Sequence, residues 1–76
     1  MNNARRKWIE EIRDKLAEIA DEIDEVLAEE EEYRDNIPEN LQSSERYEIA
    51  ENAVSYLEDA AQSVNDALDY LESAAE

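Results

Sequence analysis

The feature that most constrains this chain is a pair of apolar stripes, each spaced 3, 4, 3, 4 over some thirty residues. The first runs Ile9, Ile12, Leu16, Ile19, Ile23, Val26, then Glu30, Tyr33 and Ile37. The second runs Tyr47, Ala50, Val54, Leu57, Ala61, Val64, Leu68, Leu71 and Ala75. A stripe of that period is the a/d seam of a heptad repeat, so the spacing predicts two amphipathic helices that pack along their length. Ala20 and Leu27 widen the first stripe on one flank and Trp8 sits on the other.

Between the stripes lies one break. Pro38 disfavours helix at Ile37, and Asn36-Ile37-Pro38-Glu39-Asn40 reads as a turn. Ser43 or Ser44 suits the N-cap of the second helix, with Glu45 placed favourably in its first turn. The expected organisation is a single helical-hairpin domain over 1–76, with helix 1 about 3–35, a loop about 36–43 and helix 2 about 44–75. The fold class is all-α. Two helices of about 45 Å joined by a short loop form an antiparallel, coiled-coil-like hairpin. Pairing them about the loop sets residues whose numbers sum to 80 opposite one another, as Val26 to Val54 and Ile12 to Leu68.

Composition narrows the function. The chain has no Gly, His or Cys, and one Pro. Thiol chemistry, disulfides, the usual structural zinc sets and phosphate-binding loops are excluded on that basis. Nucleophilic or acid–base catalysis wants a poised pair in a cleft, which a hairpin does not offer. Ser55, Ser63 and Ser73 have no base beside them. No enzyme activity, cofactor or metal is expected. No apolar run is long enough to span a membrane, and the basic start Met1 to Lys7 is not followed by a signal-type apolar segment, so a cytoplasmic protein is expected.

Charge is lopsided. Twenty-three acids face seven bases, a net −16, which argues against direct contact with nucleic acid or an anionic membrane and in favour of a basic partner surface. Arg5, Arg6, Lys7, Arg13 and Lys15 crowd the first part of helix 1, while nine acids and no base lie between Ala17 and Tyr33. Glu11 with Lys15 and Glu30 with Arg34 are expected i, i+4 ion pairs, and Asp69, Glu72 and Glu76 are placed to meet Arg5, Arg6 and Lys7. Like charges one turn apart, such as Glu18 with Glu22 and Asp21 with Glu25, work against the helix by a few tenths of a kcal/mol each.

Two surfaces stand out as candidates for binding. On helix 2, Ala53, Ala60, Ala67 and Ala74 repeat every seven residues beside the seam, with Ile49, Tyr56 and Tyr70 at their edge. The apolar arc of helix 2 then covers about 160°, against about 100° on helix 1. One partner helix cannot cover it, so spare apolar surface is expected on helix 2, for a second copy in a homodimeric four-helix bundle or for another protein. On helix 1, Glu18, Asp21, Glu22, Glu25, Glu29 and Glu32 form an acidic face. Such a face is either a solvated coat or, with carboxylates about 5–6 Å apart, an imitation of a phosphate row that fits the groove of a DNA- or RNA-binding enzyme.

The segment Asn36-Ile37-Pro38-Glu39-Asn40-Leu41-Gln42-Ser43-Ser44-Glu45-Arg46-Tyr47, followed by Ala50 and Ala53, resembles a turn found in small uncharacterised acidic helical-hairpin proteins of Gram-positive bacteria and their phages. The resemblance implies a basic first helix and an acidic, Ala-rich second helix. It implies no activity, although a phage context favours an inhibitor of a host nucleic-acid enzyme such as a defence nuclease.

Overall fold

The computed structural model describes residues 2–76 and consists of two long helices and a short turn between them. Helix α1 spans Asn3–Asp35 and α2 spans Glu45–Ala74. The two pack against each other along a rod of 60 × 14 × 13 Å.

Local chemistry sets the ends. Asn2 caps α1, its side-chain oxygen accepting from the Arg5 amide at 2.7 Å. After Asp35 the chain does not turn through a left-handed residue, and no described residue has positive φ, in keeping with a sequence that contains no glycine. The Asn36 amide instead closes the last turn by donating to the Glu32 carbonyl at 3.0 Å, the Ile37 amide donates to the Arg34 carbonyl at 3.2 Å, and Pro38 prevents further helix. A single 3-10 turn at Glu39–Leu41 redirects the chain, the Leu41 amide bonding the Pro38 carbonyl at 2.8 Å. Ser44 then caps α2 by accepting from the Tyr47 amide.

Two side-chain contacts establish that the helices run antiparallel. Near the loop, Arg46 Nε donates to the Tyr33 hydroxyl at 2.7 Å. At the other end, Arg13 Nη1 lies 3.3 Å from Glu72 Oε1. The expected hairpin is therefore what forms.

The seam itself is seated differently on α1 from the a/d expectation. Leu16, Ile23 and Ile9 are half-buried, but so are Arg13, Ala20, Leu27 and Arg34, whereas Ile12, Ile19, Val26 and Tyr33 remain 40–50% exposed. Helix α1 is rotated so that its Ala20 and Leu27 flank faces α2. The physical reason is that α1 carries apolar residues on both sides of the Leu16/Ile23 row, about 40° away on either side. A single partner shields only one of the two. Arg13 and Arg34 are half-buried on the covered side, and their guanidinium groups pair with Glu72 and Asp35.

On α2 the covered residues are the expected stripe, with Ala53, Ala60 and Ala67 half-buried beside it. Only Ile37, Ala50 and Val54 are buried outright among the described residues, all toward the loop end. A chain with 42% apolar residues thus closes almost no core of its own.

Candidate interaction surface

The contacts that hold the hairpin also label its two flanks. The Arg46–Tyr33 hydrogen bond, with the guanidinium carbon 5.5 Å from the ring centroid, joins two heptad rows: Ile12, Ile19, Val26, Tyr33 on α1 and Arg46, Ala53, Ala60, Ala67, Ala74 on α2. The Arg13–Glu72 pair joins the rows on the opposite flank: Arg13, Ala20, Leu27, Arg34 on α1 and Glu51, Glu58, Asn65, Glu72 on α2. In antiparallel helices these assignments hold along the whole rod, because rows related by sevens stay on one side.

The flanks differ in chemistry. The Arg13 flank is polar and ends in an open groove lined by Glu10, Arg13, Asp14, Glu72, Ala75 and Glu76. The Tyr33 flank is apolar along its middle and carries Arg46 at its loop end. Its centre is the two rows just named. Its margins carry Trp8 on α1 and Ile49, Tyr56 and Tyr70 on α2, which are 61–77% exposed. This is a continuous apolar face about two helices wide, larger than the scattered exposed apolar residues of an ordinary monomer surface.

Each candidate residue can be placed on this frame. Ala53, Ala60 and Ala67 are half-buried at the junction of the two helices, Ala74 is exposed beyond them, and Ile49, Tyr56 and Tyr70 stand at the outer edge. Ile12, Ile19, Val26 and Tyr33 lie beside them, although the heptad pattern assigns them to the internal seam. Spare apolar surface belongs to both helices, not to α2 alone. Ala20 and Leu27 were the signal, since they offered α1 a second place to seat.

The acidic residues Glu18, Asp21, Glu22, Glu25, Glu29 and Glu32 are all exposed on the outer side of α1. Glu22 and Glu29 continue the row that begins Trp8, Lys15, and so form one margin of the apolar face. Ion pairs among the described residues join Arg13 to Glu72 and Asp14, and Arg34 to Asp35. The expected pairs Glu30 with Arg34 and Glu11 with Lys15 are not among them. Arg34, held into the seam by its stem, turns its Nε to Asp35 at 3.1 Å instead, and that hydrogen bond raises the guanidinium pKa above its ordinary value. At the terminal end Arg13, rather than Arg5, Arg6 or Lys7, is the residue that meets Glu72.

No group of acidic side chains among the described residues is arranged to hold a metal ion, and no described helix is long and apolar enough to cross a membrane. No protein-family model, curated protein or solved structure matches the chain.

Proposed function

We propose that this chain is a non-enzymatic helical interaction module that acts through its Tyr33 flank and self-associates into a four-helix bundle. The single observation that carries the reading is the exposed apolar row Ile12/Ile19/Val26/Tyr33 beside the half-buried alanine row Ala53/Ala60/Ala67, on one side of a hairpin whose other side is polar.

Area supports it. The chain exposes 5864 Å². A compact chain of 8.8 kDa would expose about 4,800 Å². The excess of roughly 1,100 Å² compares with the ~800 Å² that each partner of a standard stable interface covers. Small residues at the centre of the face let a second pair of helices approach to the short end of the 8–10 Å spacing, and the tyrosines at its edge keep their hydroxyls in water while their rings are covered.

The test is the mass in solution. Multi-angle light scattering should give twice the chain mass, and Ala60→Glu, which places a carboxylate at the centre of the face, should reduce it to one. A monomeric wild type refutes self-association. A second reading draws on the exposed acidic face of α1: an inhibitor that occupies the nucleic-acid groove of a basic enzyme. The two surfaces share only the margin at Glu22 and Glu29, so substitutions at Ala60 and at Glu25 separate the readings.

A further inference from the structure

We infer that the occupant of the Tyr33 flank is a second copy lying head to tail, loop end against terminal end, about a two-fold axis at the level of Ile19 and Ala60. The inference rests on the self-association proposed above and adds to it the order of the four helices: α1 beside α1 and α2 beside α2, each pair antiparallel.

The first support is the register of the face. The Tyr33–Arg46 contact joins residues whose numbers sum to 79 and the Arg13–Glu72 contact residues that sum to 85, so residues that share a level sum to about 82. The α1 row Arg5, Ile12, Ile19, Val26, Tyr33 has its midpoint at Ile19. The α2 row Arg46, Ala53, Ala60, Ala67, Ala74 has its midpoint at Ala60. Those two numbers sum to 79, so the row centres lie within about 5 Å of one height of the rod at 1.5 Å per residue. Reversing a second copy about that height lays apolar residue on apolar residue through the middle of the face, where Ile19 meets its equivalent, Ile12 meets Val26 and Ala53 meets Ala67, while at the ends Arg5 meets Tyr33 and Arg46 meets Ala74. An isologous interface requires a surface that is its own complement under a two-fold rotation, and these rows meet that requirement.

The second support is charge. Dividing the rod at that level, residues 20–59 hold 15 acids and 2 bases, a net −13, and the remainder holds 8 acids and 5 bases, a net −3. Two copies with their loops at the same end would stack −13 on −13. Head to tail, each −13 half lies beside a −3 half, and the repulsion between facing halves roughly halves. The margin of the face has the same polarity. Trp8, Lys15, Glu22, Glu29 runs from basic to acidic, so reversal brings Lys15 to the level of Glu22 of the second copy, whereas the same-end arrangement offers no such pairing.

Site-directed spin labelling decides the order. The chain has no cysteine, and Asn40 and Gln42 are exposed in the loop. Asn40→Cys carrying a nitroxide, with Gln42→Cys as a second site, reports the loop-to-loop distance by pulsed electron–electron resonance on the same sample whose mass is measured by light scattering. A dimeric mass with a distance comparable to the 60 Å length of the rod supports the head-to-tail order. A dimeric mass with a distance of about 20 Å, two interhelical spacings, overturns that order and leaves self-association standing. A monomeric mass overturns both, whatever other protein the face then proves to bind.

Discussion

Ile19→Ala gives the sharpest measure of how far the apolar face depends on a partner. Ile19 is 46% exposed in the hairpin although it sits midway along the α1 row. Removing three methylene equivalents from a fully buried isoleucine costs about 2.4 kcal/mol at ~0.8 kcal/mol each. Roughly half of that burial is made within the hairpin, and the other half is made only when a second copy covers the face. The assembly therefore loses about 1.2 kcal/mol per chain and about 2.4 kcal/mol per dimer, which weakens the dimer about fifty-fold at 1.4 kcal/mol per tenfold. Sedimentation equilibrium on wild type and variant measures the ratio, with circular dichroism at the same concentrations to confirm that the helices persist. A change of less than threefold with helicity retained would mean that Ile19 is not covered, and would refute the placement of the face.

Three further outcomes follow from the same geometry. Raising salt shortens the Debye length from about 10 Å at 0.1 M to about 3 Å at 1 M, so copies that each carry −16 should associate more tightly; looser association at high salt contradicts an assembly held by apolar contact. Ser44→Ala removes the α2 cap and should cost about 1 kcal/mol, lowering the thermal midpoint by several degrees, while Ser44→Asp retains the cap; equal midpoints for all three chains would show that the cap is not used. Reversing Glu22, Glu25 and Glu29 to Lys leaves the helices in place and should abolish competition with duplex DNA for a basic enzyme groove, measured by fluorescence anisotropy; persistence of competition in that triple variant removes the phosphate-mimic reading.

The hairpin was legible in the sequence because its signals are local or strictly periodic. Pro38 stops a helix wherever it occurs, Ser44 caps by reaching three residues along its own chain, and the 3, 4 spacing of the second stripe describes the buried side of α2 directly. The rotation of α1 was not legible. Ile12 and Ile19 lie about 40° from the Leu16/Ile23 row on one side, and Ala20 and Leu27 about 40° from it on the other. Periodicity counts both as one stripe, and only the packed pair of helices chooses between them. Charge pairs were harder still. Arg34 had Glu30 and Asp35 within reach, and the choice depended on how its stem lay in the seam, a tertiary detail that spacing along the chain does not contain. The Tyr33 flank depends on the same choice: it stands open because α1 seats its Ala20 and Leu27 side on α2.

The rows on that flank also set the lengths this rod is allowed to have. Deleting one residue from α1 swings everything beyond it by about 100° and carries the rest of the Ile12 row off the face. Deleting seven from α1 alone restores the side but leaves Ile19 and Ala60 at different heights. Seven removed from each helix at matching levels keep both conditions and shorten the rod by about 10 Å. Length in such a molecule therefore changes in whole heptads taken from both arms at once, and any lineage that retains the face should vary in steps of fourteen residues.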